Sequence, residues 1–320
     1  MYMKKILLSL ATIAIVGIAA TGLTVSFYGD TETSTGNTFT AGSLDLKVDS
    51  HSYYNGMECT GEGGWQIPDF NPENVFGDPV GFPEAGSNCD GSWQQKDLTG
   101  VDKFFNFDDI KPGDHGEDTI SLHVIDNDAW GRFTLGGVVD SENGCTGPEQ
   151  IAENGECVGD GQGQIGSTLL WTAWLDQGAT PGFQCGDPNT GGPKAKCAAD
   201  PTEGDNIYQA DTEGPLIWDN TLIGNTGPFD LKDVLSAAYT LYCADPNDHD
   251  PGAADGHDNY SFCHGLAQDG RMVGSTTYYF GLAWSLPLAT GNEVQTDSYT
   301  ADMTFQVEQM RNNTDPFTTD

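Results

Sequence analysis

Between positions 278 and 307 the chain spells out two strands almost without interruption. Tyr278, Phe280, Leu282, Trp284 and Leu286 fall on one face, with the small residues Gly281, Ala283 and Ser285 between them. After a turn over 287–292, Tyr299, Ala301, Met303, Phe305 and Val307 alternate with Asp302, Thr304, Gln306 and Glu308. A period of two sends successive side chains to opposite faces, so each segment must bury one face against a second layer. That requirement constrains the chain to a packed β architecture. The Gly291-Asn292 turn between the segments makes them expected neighbours in one antiparallel sheet.

The same alternation recurs upstream. Leu44, Leu46 and Val48 alternate with Asp45, Lys47 and Asp49, and Ile120, Leu122 and Val124 alternate with Thr119, Ser121 and His123. Over 168–175, Leu169, Trp171, Ala173 and Leu175 share one face while Leu170 and Trp174 occupy the other, the pattern of a strand buried on both sides. One short helix is expected over 231–241, with Asp230 as N-cap, Asp233 in the first turn, and an apolar stripe of Leu231, Val234, Leu235 and Ala238. The expected fold is therefore all-β, an antiparallel β-sandwich with one short helix.

Long Gly-, Asp-, Asn- and Pro-rich stretches separate these elements, at about 51–100, 140–167, 177–214 and 244–270. Structureless loops of that length are unusual in a compact domain. Eight cysteines lie in or beside them, in four sequence-local pairs. An even count in an exported chain implies disulfides, and proximity predicts Cys59–Cys89, Cys145–Cys157, Cys185–Cys197 and Cys243–Cys263. Thiolate ligation of a metal would need tighter spacing of the C-x-x-C kind, which is absent.

Export itself is read from the N-terminus. Lys4 and Lys5 precede an apolar run to Val25, a charged n-region and a hydrophobic h-region, so 1–25 reads as a signal peptide. A retained membrane anchor is the competing reading, because the run approaches the roughly 20 residues that span a bilayer. The net charge is −36, and becomes −38 when Lys4 and Lys5 leave with the signal. Such a chain repels nucleic acid and anionic lipid, so neither is an expected partner. Disorder does not follow from the acidity, because 7 Trp, 15 Phe and 11 Tyr supply ample core.

The segment from Ser26 to Leu46, SFYGDTETSTGNTFTAGSLDL, resembles the mature N-terminus of the TasA and camelysin family. There an F-x-D-x-E-x-S-x-x-N-x-F-x-A-G-x-L-D-L pattern follows a signal cleaved by a SipW-type peptidase. Here Tyr28-Gly29 stands where the pattern has one residue. Phe107 to Asp114, FDDIKPGD, is similar to the family's NLKPGD turn, and 291–297 with 308–313 resemble the closing strand of acidic archaeal members. The resemblance implies a jelly-roll sandwich, and an arm at 26–41 that leaves its own subunit to complete the sheet of the next. Ser26, Phe27, Tyr28 and Phe39 are the arm residues expected to carry polymerisation. The arm's Thr and Phe content independently suits an extended strand that adds to a sheet edge. A flexible tail, or a strand paired within its own subunit, is the plainer alternative.

The expected organisation is a signal at 1–25, the arm at 26–41, one sandwich domain over 42–313 carrying the insertions, and a tail at 314–320. The expected function is a secreted or cell-surface fibre subunit of a biofilm matrix. Its partners would be other copies of itself and the signal peptidase, with membrane contact only through an uncleaved signal. No catalytic residue is expected. A camelysin-like metallopeptidase is the enzymatic alternative, yet the six histidines form no H-E-x-x-H motif. His249, His257 and His264 could at most contribute to a zinc site in an Asp-rich loop. No G-x-S-x-G elbow marks a nucleophile. No cofactor is required. Calcium is the plausible ion, since it takes six to eight oxygen ligands, and Asp245, Asp248, Asp250, Asp255 and Asp258 crowd one loop. A calcium-dependent adhesin would use that loop. Asn259 and Asn312 head N-x-S/T sequons open to glycosylation in an exported chain.

Overall fold

The computed structural model describes residues 44–68, 81–156, 159, 162–183, 200–243 and 263–318. It is the all-β antiparallel sandwich that the alternating segments require. The larger sheet has eight strands: β1 (Leu44–Tyr54), β2 (Met57–Cys59), β3 (Trp65–Gln66), β4 (Trp93–Lys96), β5 (His115–Asp126), β7 (Leu170–Leu175), β8 (Trp218–Leu222) and β10 (Thr276–Ser285). Its order is β3-β2-β1-β5-β10-β7-β8, with β4 also paired to β1. The smaller sheet has three strands, β6 (Ala129–Ser141), β9 (Phe229–Asp230) and β11 (Ser298–Gln309), in the order β11-β6-β9.

The centre of the larger sheet follows from composition. In β10, Tyr278, Phe280, Leu282 and Trp284 are buried on the core face. On the opposite face a Cβ at Gly281 would lie 2.1 Å from the Trp174 indole, so only glycine lets that ring pack flat on the strand. With both faces covered, β10 takes a central place between β5 and β7. β11 is apolar on one face only, and it pairs with β6 in the other sheet. The two segments are therefore not neighbours in one sheet, as their turn suggested. The connection from Leu286 to Asp297 crosses between layers because β10 has apolar partners on both sides and β11 does not.

Aromatic rings fill the space between layers. Phe133 of β6 stacks on Phe229 at 5.0 Å and meets Phe305 of β11 at 5.2 Å and Trp218 of β8 at 5.7 Å. Tyr54, Trp65, Phe82, Phe107 and Trp284 form a second cluster. The Lys111–Asp114 turn anchors it: Asp114 accepts from the Lys111 N–H at 2.7 Å, the Tyr54 hydroxyl at 2.8 Å and the Asn55 amide at 2.9 Å.

Other sequence expectations shift in detail. β1 runs through Tyr54, so the segment read as an insertion from 51 begins inside a strand. The expected helix spans Leu231–Tyr242 with Leu231, Leu235 and Ala238 buried, but Asp230 makes no side-chain cap bond. Its carboxylate accepts instead from Arg132 Nε at 2.7 Å, and an ion pair to a neighbouring strand outcompetes a cap. A second, six-residue helix, α1 (Gly147–Ala152), precedes it, so the Leu231–Tyr242 helix is α2.

Cys59–Cys89 and Cys243–Cys263 are joined as expected, with Cα atoms 5.8 and 5.9 Å apart. Cys145 is also disulfide-bonded, while Cys157, Cys185 and Cys197 lie outside the described residues. A disulfide chiefly restricts the unfolded chain, and the Cys59–Cys89 loop spans 30 residues. Replacing both cysteines by Ala is expected to cost about 2–4 kcal/mol in urea unfolding; an unchanged midpoint would show that the strands β2 and β3 hold the loop without it.

Candidate functional site

Among the described residues, β11 is a 12-residue strand paired along one flank only. It pairs with β6 along one flank, with an irregularity between Thr300 and Asp302 and continuous register from Asp302 to Gln309. Among the described residues no strand pairs with its other flank. None of its 12 residues is fully buried, and the inward Met303, Phe305 and Val307 keep a minority of their surface exposed. Edge strands in monomeric proteins are commonly blunted by Lys or Pro, and β11 contains neither. On the far side of β6, β9 pairs only with Arg132 and Phe133, and beyond it Val138 and Val139 are each 50 % exposed.

The outer face of the larger sheet carries a set of buried acids. Asp176, just past β7, is fully buried and accepts from Gly204 N at 3.0 Å and Asn206 N at 2.8 Å. Glu213, also buried, accepts from Gly178 N and Gln209 N, both at 2.7 Å. Burial pushes both carboxyls upward, and their proximity means that one holds a proton against the other's charge. Burial, with the Asp176 and Asp205 charges, pushes Glu117 of β5 up to about 8. On the core side, burial raises Asp118 well above the carboxylate range. Ser50 Oγ lies 2.7 Å from Gly91 O and 2.8 Å from Asp118 Oδ1. One hydroxyl hydrogen cannot serve both oxygens, so a protonated Asp118 donating to Ser50 completes the chain of bonds. These acids pin the segment over 200–213 and the loop at Gly91 onto the sheet; with backbone N–H groups on their oxygens, Asp176 and Glu213 are structural.

A third acidic group joins three segments. Glu142 follows β6, Glu149 lies in α1 and Asp297 precedes β11, and one ligand atom from each falls within 4.8 Å of the others. Glu142 Oε1 accepts from Gly144 N and Thr296 Oγ1, both at 3.0 Å. Glu149 Oε2 accepts from Thr146 N at 2.9 Å, closing a capping box in which Thr146 Oγ1 accepts from Glu149 N. Asp297 Oδ2 accepts from Gln164 N at 2.6 Å. The second oxygens, Glu142 Oε2, Glu149 Oε1 and Asp297 Oδ1, are buried with no hydrogen-bond partner among the described residues, as is Gln164 Oε1. Burial and the charges of Glu142, Asp140 and Glu149, opposed by the Gln164 N–H, push Asp297 up to about 6. Sequence reading passed over this group, although Thr146-x-x-Glu149 ahead of an apolar residue is a legible capping signature.

The residues singled out from the sequence fare differently. The arm residues Ser26, Phe27, Tyr28 and Phe39, the loop acids Asp245, Asp248, Asp250, Asp255 and Asp258, Asn259, His249 and His257 all lie outside the described residues. Asn312 is exposed in the turn after β11, open to a glycan. The described histidines are dispersed: His51 meets Glu58 at 2.8 Å, and His264 lies 2.6 Å from Phe183 O. His123 bridges Asp49 Oδ2 at 2.6 Å and Thr277 Oγ1 at 2.9 Å. That connectivity resembles a catalytic triad, but the three residues sit side by side on neighbouring strands β1, β5 and β10, as a cross-strand ladder. Among the described residues no histidine belongs to a group able to hold a metal, and no helix is long and apolar enough to cross a membrane.

No family model matches the chain, and no curated protein matches it.

Proposed function

We propose that the chain is an exported structural subunit that polymerises into extracellular fibres, the arm at 26–41 of one copy adding as a strand to β11 of the next. The observation that carries this reading is the flank of β11 that no described strand covers, continuous from Asp302 to Gln309 and backed by partly exposed Met303, Phe305 and Val307. An added strand would satisfy the outward N–H and C=O groups and cover that apolar surface. The resemblance of Ser26 to Leu46 to TasA and camelysin proteins supplies the occupant, and a head-to-tail contact that does not close gives a filament. The disulfides fit an oxidising compartment, and the apolar N-terminal run fits export.

Electron microscopy of the mature chain with and without residues 26–41 tests the reading. Filaments are expected from the complete mature chain and none from the shortened one; filaments that persist without the arm overturn strand donation. Both surfaces are acidic, with Asp30 and Glu32 in the arm and Asp302 and Glu308 on β11. Assembly should therefore strengthen with salt, which screens within roughly 3 Å at 1 M. Light scattering across a salt series should rise steeply, and scattering indifferent to salt would remove the electrostatic part.

A further inference from the structure

We infer that Glu142, Glu149 and Asp297, with Gln164 beside them, form a binding site for one divalent cation of the calcium type, tying the 142–166 segment to the start of β11. An acidic cluster alone would not carry this. The further observation is that Glu142 and Glu149, only 5 % and 0 % exposed, each keep one carboxylate oxygen buried with no partner among the described residues. Hydrogen bonds from Gly144, Thr146, Thr296 and Gln164 fix the other oxygen of each carboxylate, so their orientation is set before any ligand arrives. Among the described residues no Lys or Arg pairs with any of the three, although surface acids such as Asp97 and Asp230 do find one.

Unpaired buried carboxylate oxygens are costly unless something positive neutralises them. A shared proton could bridge two of the three carboxylates. It would leave the third unmatched. A cation is coordinated by all three carboxylates at once. The donors are oxygen only, with no His or Cys, which selects a hard ion over zinc or copper. A mutual separation within 4.8 Å matches two Ca²⁺–O bonds of about 2.3–2.6 Å laid across the ion. Mg²⁺ needs shorter bonds in near-octahedral order, and these three side chains come from a strand end, a helix and a strand start. This site uses none of the acids at 245–258 and is independent of the fibre reading.

Calorimetric titration of the chelator-treated mature chain with Ca²⁺, in enough salt to suppress diffuse binding, tests it. One saturable site is expected, with Mg²⁺ at least tenfold weaker, together with a Ca²⁺-dependent rise in the thermal midpoint. Asp297→Asn and Glu142→Gln keep hydrogen-bond acceptors for Gln164 N and Gly144 N, and circular dichroism checks that they fold. Each should weaken Ca²⁺ at least tenfold and abolish the midpoint rise. A chain carrying Asp245→Asn, Asp248→Asn and Asp250→Asn should retain the site. The proposal is overturned if the unaltered chain shows no saturable Ca²⁺ binding at millimolar concentration, if Asp297→Asn binds as well as the unaltered chain, or if the loop variant loses the site instead.

Discussion

Raising the pH from 5 to 9 is expected to lower the unfolding midpoint of the monomeric chain substantially. The acids responsible are Glu117, Asp118, Asp176 and Glu213, whose carboxyls burial holds above their ordinary range. A raised folded value means that the native chain binds protons the unfolded chain has already released. Stability from these groups is therefore full below the unfolded carboxylate range, near pH 4, and is lost as pH rises through the folded values, about 8 for Glu117. Summed over the group, the loss is on the order of several kcal/mol. General repulsion in a chain of −36 acts in the same direction. Repeating the series in 1 M salt separates the two, because salt screens surface charge and not buried groups. Glu117→Gln should flatten the profile and exceed the unaltered chain in stability at pH 9. A midpoint that is level or climbs between pH 5 and 9 would contradict this account of the buried acids.

Phe133→Ala should cost about 3–5 kcal/mol. The ring is 2 % exposed and touches both layers, through Phe305 of β11 and Trp218 of β8. Its loss removes apolar burial and leaves a cavity that flanking rings cannot close without moving β6. Because β6 carries β11, the damage should reach the proposed assembly edge, so the variant should form fewer filaments at temperatures where it is still mostly folded. Phe133→Leu, which keeps part of the volume, should cost clearly less. A loss under about 1 kcal/mol for Phe133→Ala would mean the layers are not joined through this ring.

Local signals in the sequence led to the right elements where packing agreed with them. The alternation of β10 and β11, the stripe of α2 and the Lys111–Asp114 turn are all in place, because each is set by residues within a few positions. Two equally local signals were passed over. Asn55-Gly56, both at positive φ, turns β1 into β2 within a stretch read as insertion. Thr146 and Glu149 cap α1 inside another. β6 was hidden for a different reason: Gly136-Gly137 interrupts its pattern, and its exposed end from Gly136 to Val139 shows no alternating burial. The partner of each strand was not legible at all. Pairing β10 with β5 and β7, and β11 with β6, depends on which strands can cover two apolar faces and which only one. The Glu142, Glu149 and Asp297 group escaped for the same reason, since Glu142 and Asp297 meet only when β6 pairs with β11.

The proposed strand donation and the structure meet at β11, whose outward amides should exchange quickly in the monomer and slowly once another chain pairs with them. Hydrogen exchange followed by mass spectrometry, on monomer and on assembled material under matched salt, measures this directly. The account predicts new protection in β11 from Asp302 to Gln309, and in 26–41, with β10 protected equally in both states. Exchange in β11 that is unchanged on assembly, or protection confined to other strands, would contradict it.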